Sequence, residues 1–249
     1  MVSGCSLSIE TTGPYLGLAI HSFHPTSGDR RLLARYFRKE AGQQSERLFP
    51  VLGGLMKEAR VDRNRLKLVC VDAGPGSFTG ARVGVAAARG LGQALSIPVV
   101  GVSSLEVISW AAPGGDRGHT RLVAACLPAL SNELYAAVYE KRRSAQGDVT
   151  ITPVMAASWL SYDVFSARLT ALRAKSRHSL VGVGNGISVL KRYLPEIPWQ
   201  RGEVFPDPVS VGELGLRRYL KNPRKYSFEK VAPLYLQPSW AERQAKRRP

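Results

Sequence analysis

With 249 residues, 44% of them hydrophobic, the chain has apolar material for one large domain or two smaller ones, which excludes a wholly disordered polypeptide. Lys and Arg number 35 against 19 Asp and Glu, and the resulting net charge of +16 suits contact with a polyanion as well as it suits a solvated, arginine-rich surface. Cys5, Cys70 and Cys126 fall in separate apolar segments without CxxC spacing, which argues against a disulfide framework or a zinc cluster and for a reducing, cytoplasmic setting. Neither a signal peptide nor a membrane span is expected: the N-terminus lacks a basic segment followed by an apolar run, and Arg89, Gln93 and Pro98 interrupt the stretch 83–102.

Alternation at Cys5, Leu7 and Ile9 and at Leu16, Leu18 and Ile20 predicts two strands of a hairpin around the polar turn Thr11-Thr12-Gly13-Pro14, with a third strand over 32–37. A helix then opens near Ser45-Glu46, with Leu48, Leu52, Leu55 and Ala59 at spacings of three and four. Residues 66–72 read as a buried strand, 79–95 as a helix, 98–102 as a strand and 103–110 as a short helix. After the loop 113–118 the theme restarts: strands over 121–126, 133–139 and 149–154, a helix over 157–174, a strand over 179–183 closed by Gly184-Asn185-Gly186, and helices through Tyr193 and over 209–220. The pattern is α/β, in two similar lobes, divided at 1–105 and 106–249. The segment 243–249 reads as a loose basic tail.

The richest stretch is GPGSFTGARVG, residues 74–84, set between a buried strand and a small-residue helix. Glycines at 74, 76 and 80 permit close approach, and the N–H groups of a helix start can face an anion, so the loop fits either phosphate binding or tight helix packing. Gly80, Gly84, Ala88 and Gly92 place small residues on one helical face, which suits a docking helix from a partner or burial within the parent lobe.

Five segments together, Ser6 to Thr12, Ser45 to Pro50, Gly74 to Gly84, Val102 to Glu106 and Pro233 to Leu236, resemble in order and spacing the TsaB (YeaZ) family, the dimerisation subunit of the bacterial tRNA threonylcarbamoyladenosine machinery. The resemblance implies the actin-like ATPase fold, built of two ribonuclease-H-like lobes. It also implies a non-catalytic scaffold that binds and activates a catalytic TsaD-like transferase subunit, with a TsaE-like ATPase as a further member of the complex, and self-association of the chain when alone. The reaction served is N6-threonylcarbamoylation of the tRNA adenosine next to the anticodon. In the catalytic sister subunit, histidines after the corresponding strand hold a metal. Here Ser103, Ser104 and Ile108 stand in their place, and hydroxyl and aliphatic side chains cannot replace imidazole. No catalytic residue, metal or required cofactor is therefore assigned to this chain.

The resemblance carries a partner interface onto Glu46, Arg47, Phe49, Met56, Gly80, Arg82, Gly84, Ala88 and Leu91. It leaves a degenerate nucleotide site, with weak ATP or ADP binding, at Glu10, Thr11, Thr12, Gly74, Gly76, Ser77, Gly184 and Gly186. Three departures stand out: Glu10 where the family carries aspartate, Gln44 where it commonly carries histidine, and Leu127-Pro128-Ala129 where it carries Asp-Ala-Arg. Arg217, Arg218, Lys221, Arg224 and Lys225, with the tail cations Arg243, Lys246, Arg247 and Arg248, offer a path for tRNA phosphates. His21, His24, His119 and His178 read as surface or structural residues. A stand-alone ATPase or phosphotransferase of the same fold, or a metallopeptidase, is the rival reading, and a plain tRNA-binding module a third.

Overall fold

The computed structural model describes residues 4–113, 118–130 and 132–237. The chain divides into two compact units, Met1–Pro113 with Gly202–Pro233, and Gly114–Arg201 with Leu234–Pro249.

In the first unit, strands β1 (Gly4–Glu10), β2 (Tyr15–Phe23) and β3 (Arg30–Lys39) form an antiparallel meander, and β4 (Leu66–Asp72) and β5 (Val99–Val102) extend it in parallel, giving the order β3-β2-β1-β4-β5. Alternation splits the two faces of this sheet. Leu7 and Ile9 pair with Ile20 and Leu18 and with Val69 and Val71 on an apolar face. Against this side pack α1 (Gln44–Glu58), through Leu48, Leu52 and Leu55, and α2 (Phe78–Leu95), through Val85 and Ala88. The other face carries Ser6, Ser8, Glu10, Cys70 and Asp72, and is covered by the helix Pro208–Lys221 (α6 in chain order), against which α3 (Ser104–Ala111) packs. A division at 105/106 assigns 202–233 to the second lobe, yet this segment returns to the first. The cause is its small face: a Cβ on Gly212 would lie 2.4 Å from Ser8 Oγ, and one on Gly215 2.4 Å from Cys70 Sγ, so only glycine lets α6 reach the sheet.

The second unit repeats the order with one strand fewer: β6 (Thr120–Pro128), β7 (Glu133–Arg143), β8 (Val149–Ser161) and β9 (Ser179–Val183) run β8-β7-β6-β9, with β9 parallel to β6. Leu122, Ala124, Leu134 and Val138 pack against Phe165 and Leu169 of α4 (Tyr162–Lys175) and Leu190 of α5 (Ile187–Tyr193). The expected helix over 157–174 starts later. Tyr135 and Leu134 pair with Trp159 and Leu160, Trp159 Nε1 donates to Glu133 at 2.9 Å, and the strand continues until Ser161 caps α4. The duplicated strand order is that of the actin-like ATPase fold, two ribonuclease-H-like lobes.

Candidate functional site

The ends of β1 and β4 bring Glu10, Thr11, Thr12, Gly74, Gly76 and Ser77 together, as the sequence suggests. Glu10 and Asp72 are fully buried, 1% and 0% exposed. Glu10 Oε1 accepts from Thr12 N at 2.7 Å, Thr12 Oγ1 at 2.9 Å and Gly13 N at 3.2 Å. Asp72 Oδ1 accepts from Ser104 Oγ at 2.6 Å and Gly74 N at 2.8 Å. Burial pushes both acids up, and the neighbouring Asp72 charge pushes Glu10 well above the usual carboxylate range. Glu10 Oε2 has no partner, and of the two acids Glu10 is the one pushed furthest toward its protonated form, by burial and by the Asp72 charge beside it. The pair acts as a clamp that ties the β1–β2 turn to the glycine loop and to the start of α3. The longer side chain of Glu10, one methylene beyond aspartate, serves this clamp. Gln44 adds a further tie, its Nε2 donating to Gly13 O at 3.1 Å.

The glycines of the loop answer to the same turn. A Cβ on Gly80 would sit 2.0 Å from Thr11 O, on Gly76 2.6 Å from Thr12 O, and on Gly84 2.4 Å from Thr11 Oγ1. Ser77 N donates to Thr12 O at 2.7 Å, Gly80 N to Ser77 Oγ at 3.1 Å, and Thr11 Oγ1 to Gly80 O at 2.7 Å. Gly80, Gly84 and Ala88 are therefore turned into their own unit and do not form a partner face, because the β1–β2 turn already occupies the space beside them.

The outward faces of α1 and α2 are different in kind. Glu46, Arg47, Phe49 and Arg82 are exposed, Met56 and Leu91 half-buried. Phe49 is 54% exposed and Phe78 56%, the Arg82 guanidinium lying over the Phe78 ring at 3.8 Å. A Cβ on Gly53, Gly54 or Gly90 would meet nothing within 4 Å, so these positions are open to an approaching backbone. Phe78, Gly53, Gly54 and Gly90 are the residues that sequence reasoning missed. For Phe78 the signal was present in the helical period of α2: positions 78, 82, 86, 89 and 93 are the complement of the buried stripe 80, 84, 88, 92.

In the second unit Gly184 adopts φ 105°, and Gly186 N donates to Cys126 O at 3.1 Å, with a Cβ there 3.3 Å from Cys126. Gly184 and Gly186 are thus closed onto the end of β6. Leu127 is buried and Ala129 N bonds Glu133 O, so the departure at 127–129 forms the β6–β7 hairpin. Of the surface and structural readings His21 takes the structural one: it lies 3% exposed on β2 opposite Ser6, and burial pulls its pKa down. Arg217 stacks over Trp110 at 4.9 Å, and Arg218 binds Glu106 and donates to Gly101 O, so both are engaged within their unit. The tail cations Arg243, Lys246, Arg247 and Arg248 lie outside the described residues. Among the described residues no three His, Cys, Asp or Glu gather as metal ligands, and no helix is long and apolar enough to cross a membrane.

Comparison with known proteins agrees with this geometry. Residues 38–168, more than half of the chain, match the family model described as TsaD: tRNA N6-adenosine threonylcarbamoyltransferase. The protein named tRNA threonylcarbamoyladenosine biosynthesis protein TsaB in Haemophilus influenzae is 32% identical over 197 residues, 77% of this chain and 79% of that protein. Its namesake in Bacillus subtilis is 28% identical over 197 residues, 79% of this chain and 77% of that protein. In fold, the chain is similar to a crystal structure described as an uncharacterized protein with similarity to peptidase YEAZ from Pseudomonas aeruginosa, with a TM-score of 0.73 at 23% identity, covering 95% of this chain and 100% of that one. The glycine loop closed on the β1–β2 turn, the duplicated sheets and these relatives converge: the chain belongs to the TsaB (YeaZ) family.

Proposed function

We propose that this chain is a non-catalytic subunit of the machinery that makes tRNA threonylcarbamoyladenosine, working in the cytoplasm. It docks on a TsaD-like transferase through the outward faces of α1 and α2 and holds that enzyme in an active arrangement. The observation that carries the reading is the pairing of an exposed apolar and small-residue surface, Phe49, Phe78, Gly53 and Gly90, with a carboxyl clamp whose acids are bound by Thr12, Gly13, Gly74 and Ser104 of the same unit. Large aromatic side chains ringed by small residues are what a close helix-to-helix contact needs. The chemistry then belongs to the partner, in which a TsaE-like ATPase also takes part, and this subunit needs no cofactor of its own. Weak ATP or ADP binding beside Glu10 to Thr12 is compatible with the role. Without the partner, the same faces bring two copies together.

The test is co-purification and reconstitution. Phe49→Glu and Gly90→Trp should each abolish capture of the catalytic subunit and reduce threonylcarbamoyladenosine formation by at least tenfold, with the thermal midpoint of the isolated chain unchanged. Capture at wild-type level by both variants, or efficient ATP turnover by the chain alone, rules the reading out.

A further inference from the structure

The topology gathers cations from three distant stretches of sequence at one end of the first sheet, opposite to the Glu10–Asp72 clamp. Arg30 and Arg31 open β3, and they pair with Phe23 and Ser22, whose partners on β1 are Gly4 and Cys5 at its first residues. Arg63, Arg65 and Lys67 lead into β4 beside the same residues. A Cβ on Gly4 would touch Lys67 Cγ, and the Arg65 charge acts on the Cys5 thiol. The third group arrives with α6, whose Tyr219 ring meets Phe23 at 6.5 Å, so that Lys221, Arg224 and Lys225 just beyond it fall at this end too.

These side chains are exposed, and among the described residues none of them makes an ion pair; Asp29, Glu58, Asp62 and Glu229 are the carboxylates of the flanking segments. The eight cations exceed these carboxylates, even with Glu213 of α6 near Arg30, and a polyanion meets the excess positive charge by releasing its counterions. The patch has little apolar content, Leu32 being its one large exposed hydrophobe among the described residues. A protein interface centres on buried aromatic or aliphatic anchors, and stable membrane anchoring needs apolar insertion besides charge, whereas a phosphate backbone needs cations alone.

We infer that this end of the first unit is a sequence-independent binding surface for the phosphate backbone of RNA, and on the tRNA-modification reading above, on which the choice of RNA rests, for tRNA. The starts of α1 and α2, with Phe49 and Phe78, lie toward the clamp, where Gln44 bonds Gly13 O and Ser77 N bonds Thr12 O, so the aromatic part of the docking face and the cations stand at opposite ends of the sheet. The surface also differs from a tail-and-α6 path: Arg217 and Arg218 are committed internally, and the cations of β3 and of the approach to β4 take their place.

The experiment is a salt titration of tRNA binding by the full chain, followed by fluorescence anisotropy. The triple variant Arg31→Glu, Arg63→Glu, Lys225→Glu takes one cation from each stretch. A control triple, Lys175→Glu, Arg177→Glu, Arg192→Glu, makes the same change in net charge on exposed residues of the second unit. The first triple should weaken binding by about 10- to 100-fold and flatten the slope of log K against log salt by roughly 2 to 3, because each lost phosphate contact removes about 1. The control should bind as wild type does. Equal losses in the two triples would mean net charge without a located surface and would overturn the inference, as would unchanged tRNA binding accompanied by lost binding to phosphatidylglycerol vesicles. If the first triple fails to fold, the alanine versions at the same positions carry the same expectations at reduced size. Capture of the catalytic subunit, measured in parallel, separates the two ideas: normal capture with unaltered tRNA binding sinks the surface alone, and lost capture in the wild type sinks the scaffold reading alone.

Discussion

The two units answer the same geometric problem with different chemistry. In each, a glycine turn follows the strand parallel to the first one and bonds back to the far end of that strand or the turn just after it: Ser77 N to Thr12 O in the first unit, Gly186 N to Cys126 O in the second. In the first unit the junction holds a carboxyl pair with Ser104 and Thr12, and the turn opens an 18-residue helix. In the second, Cys126 and Gly184 occupy the corresponding ends, no charge is buried there, and α5 has 7 residues. Closure of the turn is thus a property of the fold. The buried acid pair and the long helix with an exposed back are additions to one unit, and they stand where a working surface is proposed.

The sharpest way to break this comparison is to add one methyl group to each turn. Gly80→Ala places a Cβ against the Thr11 carbonyl at 2.0 Å, and backbone cannot swing aside as a side chain can. We expect a loss of about 3 kcal/mol, seen as a fall of roughly 6–12 °C in the thermal midpoint of the first unit. Gly186→Ala meets Cys126 at 3.3 Å with a helical φ of −75°, so its cost should stay below about 1 kcal/mol. Comparable midpoints for the two variants would show that the two turns are packed alike.

The carboxyl clamp separates the units next. Asp72→Ala strips the acceptor from Ser104 Oγ and Gly74 N in a fully buried site, and a loss of about 2–3 kcal/mol is expected in urea titration. Glu10→Gln should be nearly neutral by comparison. Its neutral amide matches the uncharged form that burial favours for Glu10, and its oxygen still accepts from Thr12 and Gly13.

The same substitution sharpens the pH dependence. The pKa of Glu10 is raised on folding, so its contribution to stability is complete below the unfolded value of about 4.5 and is lost as pH rises through the folded value. Wild type should therefore lose stability relative to Glu10→Gln as pH climbs from about 4 toward the alkaline side. A difference in thermal midpoint that stays constant across that range would mean that folding does not raise the Glu10 pKa.

Much of this was legible in the sequence. Strand and helix positions of the first unit followed from period 2 in β1 and β2 and from the leucine spacing of α1, because burial of one face is what those periods encode. The convergence of Glu10, Thr12 and Gly74 followed from the family motif. The direction of the small-residue stripe did not, since Gly80, Gly84 and Ala88 fit a partner helix and the parent sheet equally well, and only the position of the Thr11 carbonyl decides. The surface and structural readings of His21 were likewise separable only in the fold, where pairing with Ser6 keeps it buried in β2. The return of α6 to the first sheet rests on Gly212 and Gly215 meeting Ser8 and Cys70, contacts between residues far apart in the chain that no local pattern announces.

The smallest expected effect tests whether helix starts, as well as turns, differ between the units. Ser77 caps α2 by accepting from Gly80 N at 3.1 Å, and Ser161 caps α4 by accepting from Val164 N at 3.4 Å. Removing a cap leaves one helix-start donor to water, at a cost of about 1 kcal/mol for a well-formed bond and less for a long one. Ser77→Ala should therefore cost about 1 kcal/mol and Ser161→Ala about half of that. Amide exchange reads the difference locally: Gly80 should gain exchange in the first variant more than Val164 gains in the second. Because Ser77 N also bonds Thr12 O, the backbone of the turn stays in place when the hydroxyl is lost, so the change should remain confined to the first turn of α2 and leave the outward face of that helix able to bind.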